Sequence, residues 1–119
     1  MKETTKEHGD ILRELAPHLE IMEEWYDRIL QMQLLDGKNE EDASGPASVM
    51  AVMLGLSLSR NTKQVTEKVE NITFAQEIFR IMVGVKKLIK LGLVEGNVEG
   101  TDEFGWPQYH ITGINKEEQ

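Results

Sequence analysis

From Thr5 onward, apolar side chains recur at Ile11, Leu15, Met22, Trp25, Ile29 and Met32, and with His18 included the successive spacings are 4, 3, 4, 3, 4 and 3. Alternation of three and four marks a helix with a heptad seam. Leu12, Leu19 and Tyr26 widen the stripe, while Arg13, Glu20, Glu23, Glu24, Asp27 and Arg28 fall mostly outside it. Pro17 removes one backbone hydrogen bond, so the run either kinks there or divides into two helices with Pro17 in a first turn. Asp36-Gly37 stops the helix. The seam is longer than a small core needs, and it is expected to join two copies of the chain; packing on its own domain is the alternative.

Residues 36–45 are polar and acidic, without apolar periodicity, and read as a linker. Pro46 opens a helix over 46–59 that is apolar nearly all round, with Met50 and Met53 as core filler. Gly55 inside it costs about 1 kcal/mol relative to alanine, which a close helix crossing would offset. Thr62 then caps a short helix ending at Glu70, with Val65 and Val69 on one face. Thr73 caps a longer one over 73–91, with Gln76 completing a capping box. Its inward stripe is Ile78, Ile81, Met82, Val85, Leu88 and Ile89, and Gly92 followed by Leu93 ends it. A turn-rich stretch at 100–105 separates Val94 and Val98 from Tyr109 and Ile111, which predicts a β-hairpin over 93–112. The predicted organisation is a helical arm (1–35), a linker (36–45), a folded domain (46–113) and a polar tail (114–119), in the mostly α class with one small hairpin.

Composition narrows the chemistry. A chain of 119 residues with 39% hydrophobic side chains can build one core unaided, and with no cysteine it has no thiol catalysis, disulfide or zinc-thiolate site. No apolar run approaches the ~20 residues that cross a bilayer, and residues 1–10 lack a basic, apolar leader, so a soluble cytoplasmic protein without a membrane partner is expected. Net charge is −8 but unevenly spread. Residues 1–45 carry 5 basic and 12 acidic side chains, residues 60–91 carry 7 and 3, and residues 92–119 carry 1 and 6. One basic island lies between acidic arms.

Enzymatic patterns are missing. His8, His18 and His110 have no paired metal-ligand spacing, Ser44, Ser48, Ser57 and Ser59 lie in no nucleophile motif, and Gly96, Gly100 and Gly105 follow no nucleotide-binding pattern. His110 facing Asp102 or Glu103 across the hairpin reads as a chance cross-strand pair. Asn71-Ile72-Thr73 reads as a helix stop and cap. No enzyme, metal or cofactor is expected.

The run Lys86-Lys87-Leu88-Ile89-Lys90-Leu91-Gly92-Leu93-Val94-Glu95, followed by a hairpin closing on Tyr109-His110-Ile111-Thr112-Gly113, resembles the winged helix-turn-helix superfamily, in particular MarR-type and PadR-type regulators. The resemblance implies a small transcriptional regulator that binds double-stranded DNA as a homodimer. At about 100° per residue, Gln76, Arg80, Val83, Lys87 and Lys90 fall opposite the inward stripe. Gln76 and Arg80 would then read bases, while Lys87 and Lys90, with Arg60 and Lys63, would hold phosphates. Ile11, Leu15, Met22, Trp25, Ile29 and Met32 would hold the dimer. The tip at 101–105 carries Asp102 and Glu103 rather than arginines. That acidity, with apolar Phe79 and Val83 on the same helix, supports the alternative of a non-enzymatic protein-interaction module.

Overall fold

The computed structural model describes residues 5–114; the expected polar tail from 115 onward lies outside the described residues. Four α-helices, α1 (Lys6–Leu15), α2 (Leu19–Leu35), α3 (Glu40–Arg60) and α4 (Val69–Lys90), precede an antiparallel hairpin of β1 (Val94–Thr101) and β2 (Pro107–Ile114). The chain is mostly α with one small hairpin, as its patterning predicts.

Thr5 caps α1 by accepting a hydrogen bond from the His8 amide at 3.1 Å. A 3-10 turn at Ala16–His18 carries Pro17 in its opening positions, so the break falls where proline demands it. Gly37, at φ +94°, ends α2 as expected. The linker, by contrast, shrinks to a few residues. Asn39 accepts from the Asp42 amide at 2.8 Å, and Glu40, Glu41 and Asp42 sit at the positive end of the helix dipole. Helix α3 therefore begins six residues before Pro46; the carbonyl that Pro46 leaves without a donor is that of Asp42, and with both residues exposed water takes the place of the missing N–H. Gly55 does occupy a close crossing: a Cβ there would lie 2.6 Å from Met22 Sδ and 2.7 Å from Leu15 Cδ2. Met50 is exposed rather than a core filler, and Met53 is half-buried.

The short helix over 62–70 does not form. Asn61 turns left-handed at φ 52°, the Thr62 amide donates to Ser57 O, and the Arg60 guanidinium reaches Thr66 O at 3.0 Å. These bonds hold residues 61–68 irregular, and α4 starts at Val69, before Thr73 and without the predicted capping box. Its buried residues are Asn71, Ala75, Phe79 and Met82. Taking 100° per residue, that stripe is turned by about 70° from the predicted one, which leaves Ile81 and Leu88 exposed.

The core lies where α1, α2, α3 and α4 meet, around Leu15, Met22, Tyr26, Val52, Leu56 and Phe79. Tyr26 and Phe79 pack edge to face, ring centroids 5.6 Å apart. The hairpin tip closes this core. Trp106 is 2% exposed, and its indole Nε1–H donates to Leu12 O at 2.7 Å. Asp102 Oδ1 shapes the tip by accepting from the Phe104 and Trp106 amides. Phe104 lies against Gly9, where a Cβ would come within 2.9 Å of its ring, and beneath Arg13 at 5.0 Å.

Candidate functional site

The basic island is held largely by the protein itself. Gln76, expected on an outward face, donates through Nε2 to Gly45 O at 3.3 Å and to Ser48 Oγ at 3.0 Å, both on α3. Arg80 donates to Ser44 Oγ at 3.0 Å, and Lys87 pairs with Glu40. Because α3 begins early, its first turns lie alongside the face of α4 predicted to be free. Glu40 raises the Lys87 ammonium pKa above the ordinary lysine value, the hydrogen bond outweighing partial desolvation. Lys86 is held in the same way by Glu23 of α2.

Arg60 is engaged most fully. Its guanidinium bonds Glu14 on α1 at 2.7 and 3.0 Å and Glu67 at 2.7 Å, with all three side chains mostly buried. Asn71 Nδ2 adds bonds to Glu67 and Glu7. Hydrogen bonds from Arg60 and Asn71 lower the Glu14 and Glu67 carboxyl pKa values, and the carboxylates raise that of Arg60. Sequence reading missed Glu14, Glu67 and Asn71, which lie far apart along the chain and share no spacing signal. Lys63 and Lys90 are exposed.

The apolar candidates are redistributed as well. Phe79, expected on the shoulder of a partner surface, is fully buried, and Val83 is half-buried against the core. Of the predicted dimer seam, Ile11, Leu15 and Met22 lie in this chain's own core, while Trp25 and Met32 remain exposed and Ile29 is half-buried. Half of that seam closes the arm onto its own domain. His110 lies 3.8 Å from Glu99 rather than facing Asp102 or Glu103.

The free side of α4 has its own character. Counting at 100° per residue, it carries Glu70 and Glu77 in its first half, then Ile81, Gly84 and Leu88. A Cβ at Gly84 would meet nothing within 4 Å, so packing within the chain does not call for glycine there. Beside the start of the helix, Lys68, Val69, Glu70, Thr73, Phe74 and Glu77 line a concavity, with Phe74 stacked on His8 at 4.1 Å between ring centroids. On the hairpin, Val98, Ile111 and Ile114 are also exposed. Among the described residues no group of three or more His, Asp or Glu is placed to hold a metal ion, and no helix is long and apolar enough to cross a membrane. Compared with family models, curated proteins and solved structures, the chain matches none.

Proposed function

We propose that this chain is a non-enzymatic protein-interaction module rather than a reader of DNA. The observation that carries this is the engagement of α4: Gln76, Arg80 and Lys87 are turned onto α3, and Arg60 is neutralised by two carboxylates. Base reading needs free donors at the front of a recognition helix, whereas Gln76 and Arg80 already donate to α3, and Lys87 and Arg60 already face carboxylates. The tip of the hairpin, which a winged helix lays on the DNA backbone, is acidic and anchored to α1 through Trp106.

The free side of α4 suits a different partner. Glu70 and Glu77 lead into Ile81 and Leu88 on a chain of net charge −8, a surface complementary to an amphipathic segment with lysine or arginine along its apolar edge. The test is a fluorescence anisotropy titration of this protein with labelled duplex DNA and with a labelled basic amphipathic peptide, each at two salt concentrations. The expected result is saturable peptide binding that weakens when Ile81 and Leu88 are replaced by aspartate, and no saturable DNA binding. DNA binding that falls steeply with salt and is lost in Arg80→Ala would overturn the proposal in favour of the winged-helix regulator.

A further inference from the structure

The outer side of α2 carries a second heptad stripe, separate from the buried one. Ile21, Trp25, Arg28, Met32 and Leu35 follow spacings of 4, 3, 4 and 3. Four of them are large and apolar, with exposures of 36% at Ile21, 41% at Trp25, 63% at Met32 and 86% at Leu35. The inner side of the helix is occupied by Leu19, Met22, Tyr26 and Leu30, so the core makes no use of this stripe. Its one charged member is also the one basic residue of α2. Arg28 lies with its guanidinium 5.0 Å from the Trp25 ring and 3.2 Å from Glu24 Oε2. The acids of the helix, Glu20, Glu23, Glu24 and Asp27, all stand off the stripe.

We infer that this stripe is an isologous contact on which a second copy of the chain packs antiparallel, about a two-fold axis passing between Tyr26 and Asp27. In this register the single cation of the stripe falls opposite an aromatic ring; shifted by one heptad it would face Met32 or His18. Ile21 falls opposite Met32 of the second copy, Trp25 opposite Arg28, and Leu35, the most exposed of the five, opposite His18 one step before the helix. The two-fold axis makes each of these contacts occur twice with the roles exchanged. The centre holds two cation–ring contacts, which gain strength as water is excluded. Glu24, on the rim, faces Gln31 rather than another carboxylate. A parallel pair would instead bring Arg28 onto Arg28 at one core layer and leave the helix dipoles aligned, both unfavourable. The pairing of Arg28 with Trp25 and of Glu24 with Gln31, with no like charges opposed, argues for a second copy as the occupant. The contact lies on a different helix from the partner surface of α4 and does not depend on it.

Charge adds a signature. Each copy carries −8, so added salt screens repulsion between the copies while leaving the apolar layers intact, and the dimer tightens as salt rises. Sedimentation velocity across a micromolar concentration series, at low and moderate salt, should show a species of twice 13.6 kDa that increases with salt. Trp25→Glu and Met32→Glu, at exposed positions, should each weaken association at least about 30-fold while keeping the melting temperature that wild type shows at concentrations where it is monomeric.

Because the chain has no cysteine, the register can be read by cross-linking. The double variant Ile21→Cys/Met32→Cys should oxidise to a disulfide-linked dimer. Ile21→Cys alone should not, since two copies of that position lie about 16 Å apart along antiparallel axes. A monomer at every concentration, a dimer indifferent to both glutamate variants, or cross-linking of Ile21→Cys alone would each overturn the inference.

Discussion

Replacing Trp106 with alanine tests whether the hairpin tip is part of the core or merely rests on it. The indole is 2% exposed and its Nε1–H bonds Leu12 O, a carbonyl that also accepts the Ala16 amide. Large-to-small changes at buried tryptophan cost about 3–5 kcal/mol, of which the hydrogen bond accounts for about 1 kcal/mol. Phe104 beside it can settle partway into the vacated space, which favours the lower end, about 3 kcal/mol. For a chain of this length that corresponds to a fall in melting temperature of about 10–15 °C. Trp106→Phe, which keeps most of the volume and loses the bond, should cost about 1–1.5 kcal/mol. Thermal melts followed by far-ultraviolet circular dichroism read both, with Glu103→Ala at the exposed side of the same tip as a control expected within about 0.5 kcal/mol of wild type. If Trp106→Ala melts within about 3 °C of wild type, the tip contributes nothing to the core and the docking argument fails.

Two glycines should respond with opposite signs. Gly55→Ala forces a methyl against Leu15 and Met22 and should destabilise by about 1–2 kcal/mol in urea unfolding despite its better helix propensity, whereas Gly84→Ala, with open space around it, should stabilise by about 1 kcal/mol. Arg60→Ala leaves Glu14 and Glu67 facing each other without their cation and should cost about 1–3 kcal/mol, discounted for partial exposure. The folded pKa values of these two carboxyls lie below the ordinary glutamate value, so their contribution is complete above that value and is lost as pH falls through the lowered ones. Urea unfolding of wild type across the acid range should show this loss and Arg60→Ala should show it flattened; equal pH dependence in both would refute the assignment.

The ends of elements were the most legible part of the sequence. Pro17, Asp36-Gly37 and Gly92-Leu93 each act through backbone geometry that needs no distant partner, and each break falls where it was expected. The start of α3 was hidden because Pro46 is the stronger local signal, whereas the Asn39 cap gains its weight from the buried alanines that follow. Val65 and Val69 are spaced as on a helix, yet Arg60 binds the chain at Thr66 and Glu67 in another conformation. The face of α4 was misjudged for a similar reason. Counting large aliphatic residues favours Ile81 and Leu88, but the space against α2 and α3 is filled by Ala75, Phe79 and Met82. That rotation, set wholly by distant contacts, carried the candidate site with it.

The bond between Trp106 and Leu12 also joins positions 94 residues apart. Closing so long a loop demands that the chain lose much of its freedom before the contact returns any energy, so this junction belongs to the late events of folding. The helices can assemble first through nearer neighbours such as Met22 against Gly55. During synthesis on the ribosome, the stretch of α1 around Leu12 waits uncovered until residue 106 has emerged, a window in which a chaperone or a neighbouring nascent chain competes for the same apolar surface.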